Sequence, residues 1–189
     1  MQKLFIFLFN NYILSFIFVG VIAINVWMYF GVGGIHDIKY VSGGKNIPDT
    51  QLYQSTDNLN NLLSKYGSQG KLYYLRYQYR DYIYPFFYGL LLMGILFRLI
   101  KPTGFNVWVF VPVLAAFFDY IENYFLRICF YDYPNLIDTK VMMASVATSL
   151  KWFFIALSFV LIIIAYINRR KKYIARNKIK NQRPNTYTS

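Results

Sequence analysis

Long apolar runs separated by short polar segments are the main pattern of this chain. Four runs stand out, at 4–30, 82–100, 105–130 and 141–167. Each is close to or above the ~20 residues that a helix needs to cross a bilayer. Short alternating strands of the barrel type are not present, which disfavours a closed barrel. The pattern therefore predicts an all-α fold, an integral membrane four-helix bundle occupying residues 1–168.

The connection at 31–80 is long enough to hold structure of its own. It begins with several glycines and continues as TDNLNNLLSKYG, which predicts a short amphipathic helix with Thr56 as N-cap and Gly67 as C-cap. Its apolar stripe is expected on the membrane surface or over the mouth of the bundle. The next segment, KLYYLRYQYRDYIYP, alternates like a strand but also continues into the second run. We predict a helix here, because a lone strand has no partner for its edge.

Composition supports the membrane assignment. Hydrophobic residues make up 57% of the 189 residues and aromatic residues 21%, while charged residues make up only 15%. A soluble chain of this length has too small a core to bury that much apolar surface. We read the first run as a retained anchor, because it is too long for a signal peptide and has no small-residue cleavage site.

The net charge of +12 is concentrated in one place. Eight of the 20 basic residues follow the last apolar run, with no acid among them: Arg169, Arg170, Lys171, Lys172, Arg176, Lys178, Lys180 and Arg183. By the positive-inside rule this predicts a basic cytoplasmic tail at 169–189, a cytoplasmic N-terminus and an outer location for the long first loop. Membrane lipids are the expected partners of the tail. Nucleic acid is not expected, because the interleaved aromatic residues of single-strand binders are missing.

The third run contains polar residues that are expensive in a bilayer. In AAFFDYIENYF, Asp119, Glu122 and Asn123 share one helical stripe with small residues, while bulky aromatic residues fall on the opposite stripe. Each acid at mid-membrane depth costs on the order of 2.5 to 3.5 kcal/mol on insertion scales. The stripe therefore predicts contact with other helices rather than with lipid.

A partner for the acids is present in the fourth run, where Lys151 is the one charged residue of ASVATSLKWFF. At 1.5 Å per residue, Glu122 and Lys151 lie ~12 Å and ~15 Å below the same membrane surface. Nearby polar side chains on the second and fourth runs complete a predicted cluster in the outer half of the bundle. Its nine candidate ligand-binding residues are Asp81, Tyr84, Tyr88, Asp119, Glu122, Asn123, Ser145, Thr148 and Lys151.

Two interpretations of this cluster are open. Lys151 can simply pair with one carboxylate and fix the register of the helices. That interpretation leaves the other acid unexplained, since one lysine neutralises one acid; the second is protonated, hydrated, or available to a cationic or hydrogen-bonding ligand.

The sequence lacks the motifs that identify common cofactor sites and enzyme classes. His36 is the single histidine and lies outside the apolar runs, which disfavours haem and zinc sites. Cys129 is the single cysteine, so no CxxC motif or internal disulfide exists. The signatures of α/β-hydrolases, nucleotide-binding loops and zinc proteases do not occur. We therefore expect no cofactor and no metal.

Three segments together resemble an uncharacterised family of small four-span bacterial membrane proteins: DYIYPFFYGL, FDYIEN and SVATSLKW. The resemblance covers most of the chain and implies a helical outer insertion between the first two spans. It implies no activity. In architecture the chain is also similar to the emopamil-binding and sigma-2 receptor proteins, which hold sterol-like ligands in a membrane cavity, although their site residues have no counterpart here.

Three functions agree with these observations. We favour a binding protein whose outward-facing polar cavity accepts a lipid-like amphiphile. The second is a structural or accessory subunit of a larger membrane complex, with partner membrane subunits. The third is an intramembrane enzyme that uses Asp119 or Glu122 as an acid or base, with Lys151 tuning it.

Overall fold

Residues 6–100 and 106–182 are described by the computed structural model of the chain. These ranges are helical and contain no strand, which confirms the predicted all-α bundle. The ends of the first and third apolar runs at residues 4–5 and 105, and the tail beyond residue 182, lie outside them. So does Arg183 of the predicted basic cluster.

After helical residues at 6–8, six helices follow one another along the described ranges. They are α1 (Asn11–Phe30), α2 (Ile35–Val41), α3 (Thr56–Asp81), α4 (Tyr84–Ile100), α5 (Val111–Asp132) and α6 (Asp138–Gln182). Short 3-10 turns at Pro48–Thr50 and Val107–Phe110 precede α3 and α5. Four helical stretches are long and apolar enough to cross a membrane: Asn11–Val41, Thr56–Ile100, Val107–Asp132 and Asp138–Lys178.

The helix boundaries follow from local side-chain chemistry. Asn10 caps α1 by accepting a hydrogen bond of 2.9 Å from the Ile13 amide. Ser55 caps α3 in the same way, through the Asn58 amide at 3.2 Å. The prediction that Thr56 is the cap is therefore wrong by one residue. The Thr56 hydroxyl donates instead to Asp138 Oδ1 at the start of α6.

Helix α3 is broken once, at Gly67. This glycine has φ +59° and ψ −167°, a conformation that side-chain-bearing residues rarely adopt. The predicted end of the amphipathic helix at Gly67 is thus confirmed, but the chain resumes as a helix at once. It continues through 71–80, which confirms the helical prediction over the strand alternative for that segment.

The centre of the bundle is formed by α4, α5 and α6. Helices α5 and α6 pack along their lengths, α4 packs against both, and α1 packs on α4. Small residues allow the close approach of α4 and α5: a Cβ built on Gly89 would lie 3.1 Å from Ala116 Cβ. The bundle core here contains Tyr88, Leu92, Ala115 and Ala116.

The insertion covers one end of the bundle. The apolar stripe of α3, with Leu59, Leu63 and Tyr66, is buried in a core shared with Cys129 and Phe130 of α5. The amphipathic helix therefore lies over the bundle mouth, one of the two predicted positions. We call this the insertion end, and the opposite end, where the basic part of α6 begins, the basic end.

Helix α6 is much longer than a bilayer requires. Its 45 residues extend about 68 Å at 1.5 Å per residue, roughly twice the ~30 Å hydrocarbon thickness. Its basic stretch at 169–178 is exposed on every side.

Candidate functional site

The polar stripe of α5 faces the interior of the bundle. Asp119, Glu122 and Asn123 are 3%, 0% and 0% exposed, whereas Phe117 and Tyr124 on the opposite side are 56% and 58% exposed. The helical spacing of the sequence thus predicts correctly which way these three side chains point.

Lys151 of α6 reaches both acids of this stripe. Its Nζ lies 3.3 Å from Asp119 Oδ1 and makes a direct ion pair with Glu122 Oε2. The lysine side chain is only 7% exposed. Lys151 therefore bridges the two acids instead of pairing with one of them, and the contact places Glu122 and Lys151 at the same level of the bundle.

Two hydroxyl groups hold the remaining carboxylate oxygens. The Thr148 hydroxyl, one turn before Lys151 on α6, donates to Glu122 Oε1 at 2.7 Å. From α4, the Tyr88 hydroxyl donates to Asp119 Oδ2 at 2.9 Å. The Asn123 amide adds a longer contact of 3.4 Å from Nδ2 to Asp119 Oδ1. Three helices are thereby fixed in register by one polar network.

The end of α3 brings a third acid to the network. Asp81 is 5% exposed and interacts electrostatically with Asp119 and Lys151, and its carboxylate lies beside the Asn123 amide. One turn earlier, Gln78 is fully buried and donates from Nε2 to the Asn123 carbonyl at 3.2 Å.

A fourth acid comes from the insertion and was missed by the sequence analysis. Asp49 lies in the 3-10 turn Pro48–Thr50 and is 5% exposed. Its Oδ1 accepts a hydrogen bond of 2.8 Å from the Tyr74 hydroxyl of α3. It interacts electrostatically with Asp81, Asp119 and Glu122. Half of the eight acidic residues of the chain therefore lie in one buried cluster, which we call the acid cluster: Asp49, Asp81, Asp119 and Glu122.

Residues 47–54, which we call the strap, hold Asp49 in place against α6. The Gln54 amide donates to Ser145 Oγ at 2.9 Å, and that hydroxyl donates back to the Gln54 carbonyl at 3.0 Å. Ser149 Oγ donates to the Leu52 carbonyl at 2.7 Å, and Trp152 Nε1 to the Asp49 carbonyl at 3.4 Å. These three α6 residues are spaced by one helical turn, so the strap runs along a single face of α6.

Two of the nine predicted residues have other roles. Ser145 anchors the strap and makes no contact with Lys151 or the acids among its hydrogen bonds. Tyr84 is half-buried and packs on Tyr88, with ring centroids 5.2 Å apart. Both are near the cluster, but their hydroxyl groups are not part of its described hydrogen bonds.

The sequence did contain a pattern that predicts the polar side chains of α3 at the acid cluster. Tyr74, Gln78 and Asp81 recur at spacings of four and three residues, so they share one helical face. The many tyrosines of this segment are also typical of an aromatic belt at a membrane interface, so its polar face does not stand out in the sequence. Asp49 had no such signal, because only the folded path of the strap brings it to the cluster.

A pocket of about 510 Å³ lies at the insertion end, between 53–57 and 138–142. None of the nine predicted residues lines it. Gln54, which binds Ser145 six residues before Lys151, is part of its wall. The strap therefore contributes Gln54 to the wall of this pocket and Asp49 to the acid cluster.

The charge balance of the site limits its chemistry. Lys151 contacts two of the four carboxyl groups of the cluster. The other nearby buried cation, Arg80, donates to the backbone carbonyls of Trp27, Gly31 and Val32 at the end of α1. In the described part of the chain, no three acidic, histidine or cysteine side chains are grouped closely enough to hold a metal ion. The acid surplus suits protons, hydrogen-bond donors or an organic cation.

Comparisons with known proteins add no information about this site. No family model, curated protein or solved structure matches the chain. The resemblance of the three quoted segments to four-span bacterial proteins accordingly stays a prediction.

Proposed function

We propose that this chain is an integral membrane protein that binds a lipid-like amphiphile, with the polar head of the ligand at the acid cluster. The observation that carries the proposal is the surplus of buried acid: four carboxyl groups lie around a single lysine, which contacts only two of them, Asp119 and Glu122. A structural ion pair needs one acid for one base. Groups of this kind inside an apolar bundle are functional candidates by default.

The surroundings of the cluster suit the apolar part of such a ligand. Phe118 of α5 and Phe154 of α6 are half-buried and stacked, with ring centroids 5.6 Å apart. Phe154 also packs on the central core beside Ala115 and Ala116. A hydrocarbon tail directed along this seam leaves the head group near Asp119 and Lys151.

The pocket at the insertion end provides the approach for the head group. The strap contributes to the wall of this pocket and also carries Asp49, so we expect the strap to move away from α6 when a ligand enters. Binding then depends on both parts of the molecule, the bundle that carries the acids and the insertion that covers them.

The first test is the lipid that co-purifies with Glu122→Gln. Glu122 is the chain's only glutamate and is fully buried, and glutamine keeps its shape while removing its charge. We expect bound lipid, measured by mass spectrometry after gentle extraction, to fall severalfold. Asp37→Asn also removes one carboxylate charge, at a position outside both the pocket and the acid cluster, and is the matched control. Unchanged lipid content in a folded Glu122→Gln protein would count against the proposal.

A second function is favoured by the contact of Lys151 with both Asp119 and Glu122. A lysine shared between two acids is suited to fixing helix register, and a rigid bundle of that kind serves as an accessory subunit of a larger complex. The discriminating observation is a partner protein at fixed stoichiometry after mild extraction. A monomer that carries lipid supports binding instead.

A further inference from the structure

We infer that the head group of the bound amphiphile is a primary ammonium, a cation that also donates several hydrogen bonds. This inference rests on the proposed function and names its ligand class. It comes from two independent features of the site: buried acceptor atoms without donors, and the excess of carboxyl groups.

Three buried oxygens around the acid cluster have no hydrogen-bond donor of good geometry among the described residues: Asp49 Oδ2, Gln78 Oε1 and Asn123 Oδ1. The three residues are 5%, 0% and 0% exposed. All three atoms are acceptors. A buried acceptor without a donor is costly, so a site with several of them is complementary to a group rich in N–H or O–H.

The hydrogen bonds donated by the amide nitrogens of Gln78 and Asn123 determine which atom of each amide is the oxygen. Gln78 donates to the Asn123 carbonyl, which only its amide nitrogen can do, so its other atom is the oxygen. Asn123 donates to Asp119 Oδ1, which fixes its oxygen in the same way. For Asp49, Tyr74 occupies one oxygen, and the Tyr77 hydroxyl lies near the carboxylate without a well-formed bond.

The acceptors belong to one connected region. Gln78 joins Asn123, and Tyr74, one turn before Gln78 on α3, joins Asp49. Asn123 in turn lies beside both Asp81 and Asp119. A head group placed among these side chains therefore meets amide oxygens and carboxylates together.

The charge of the site favours an ammonium over other head groups that donate several hydrogen bonds. With four carboxyl groups and one lysine in the network, a cation reduces the repulsion among the acids, whereas an anionic head increases it. A quaternary ammonium supplies the charge but has no N–H group. Comparing primary and quaternary ammonium ligands of equal tail length thus isolates the contribution of the orphan acceptors.

The experiment uses the full chain in phosphatidylcholine nanodiscs and three soluble amphiphiles with the same twelve-carbon tail. These are dodecylamine, dodecyltrimethylammonium and laurate, with affinities measured from shifts of the thermal unfolding midpoint. We expect dodecylamine to bind about tenfold or more tightly than the quaternary compound, the value of one or two hydrogen bonds to buried acceptors. Laurate is expected to bind weakest.

Variants of the acceptors give the second measurement. Asn123→Leu and Gln78→Met each remove one orphan oxygen, and either is expected to reduce the advantage of the primary amine severalfold. Asn25→Leu is the matched control, since Asn25 is exposed on α1 and its amide donates to the Val21 carbonyl of its own helix. Should one acceptor variant not fold, the other variant and the ligand series on the unaltered chain still decide the matter.

The outcomes separate the two proposals. Equal binding of both cations, or tightest binding of laurate, overturns the ammonium inference and leaves amphiphile binding intact. If none of the three ligands binds and Glu122→Gln retains its lipid, the proposed function itself fails. An amine preference that survives in both acceptor variants also overturns the inference, because the preference then has another origin.

Discussion

Lys151 offers a sharp test at the scale of single residues. Replacing it by methionine keeps most of the apolar stem but leaves Asp119 and Glu122 buried without their cation. Removal of one partner of a buried ion pair typically costs about 3–5 kcal/mol. We therefore expect Lys151→Met to lower the free energy of unfolding by that order, measured by thermal or denaturant unfolding in detergent.

A variant in which the two acids are also neutralised is the control for Lys151→Met. Adding Asp119→Asn and Glu122→Gln to Lys151→Met removes the uncompensated charges, so most of the lost stability should return. Lys172→Met, at an exposed position of the same helix, should have almost no effect. If Lys151→Met is as stable as Lys172→Met, the ion pairs seen in the bundle do not hold it together.

A substitution at Tyr88 tests the hydrogen bond that α4 donates to Asp119. Tyr88→Phe removes the hydroxyl that donates to Asp119 Oδ2 at 2.9 Å and leaves that oxygen without its donor. The expected loss is about 1–3 kcal/mol. Tyr124→Phe, on the exposed side of α5, is the matched control and should be neutral. Equal unfolding midpoints for the two variants would contradict the role assigned to this hydroxyl.

At this scale the sequence predicted the residues that obey helical spacing. Asp119, Glu122, Thr148 and Lys151 are placed by one rule, that residues three and four apart share a face. Asp49 could not be found in this way, because its position depends on a loop path that no periodicity encodes. Helical spacing also places Gln78 on the face of Tyr74 and Asp81, but the many tyrosines of the segment obscure this polar face in the sequence.

Among the elements, the strap is the part whose attachment can be tested directly. Ser145→Ala removes both hydrogen bonds between its hydroxyl and the backbone of Gln54. We expect the amide protons of residues 47–55 to exchange with solvent faster, as measured by hydrogen exchange with mass spectrometry. The cause is local: the strap loses one of its attachment points on α6.

Ser158→Ala is the matched control for the strap. Ser158 is also buried on α6, but its hydroxyl binds the Phe154 carbonyl of its own helix. Exchange in 47–55 should be unchanged in this variant. If both serine variants behave alike, the strap is held by something other than Ser145.

The elements themselves were largely predictable, and the connections were not. Apolar run length located the helices that are long enough to cross a membrane, and the glycine at 67 marked the break in α3 correctly. The N-cap was misplaced because Ser55 and Thr56 are both good capping residues and only the backbone conformation separates them. The wrapping of the insertion over the bundle arises from long-range contacts, such as Leu59 and Tyr66 against Phe130, that no local pattern specifies.

For the whole molecule, the predicted orientation follows from the basic stretch on α6. We expect the basic end in the cytoplasm and the insertion end on the other side. In a Cys129→Ala background, a cysteine at Ser68 of the insertion should react with a membrane-impermeant thiol reagent in intact cells. A cysteine at Lys172 should react only after permeabilisation. The reverse pattern would place the acid cluster near the cytoplasmic surface instead.

The position of Lys151 on the last helix has a consequence for how the protein is made. A chain is synthesised from its N-terminus, so all four acids of the cluster, from Asp49 to Glu122, leave the ribosome before their lysine does. In the proposed membrane setting, the first three spans enter the bilayer with carboxyl groups that have no counter-ion. Arrival of α6 supplies the cation, the Thr148 hydroxyl and the anchor of the strap in one step. A chain that ends before α6 therefore keeps its buried acids without the lysine and the threonine hydroxyl that contact them.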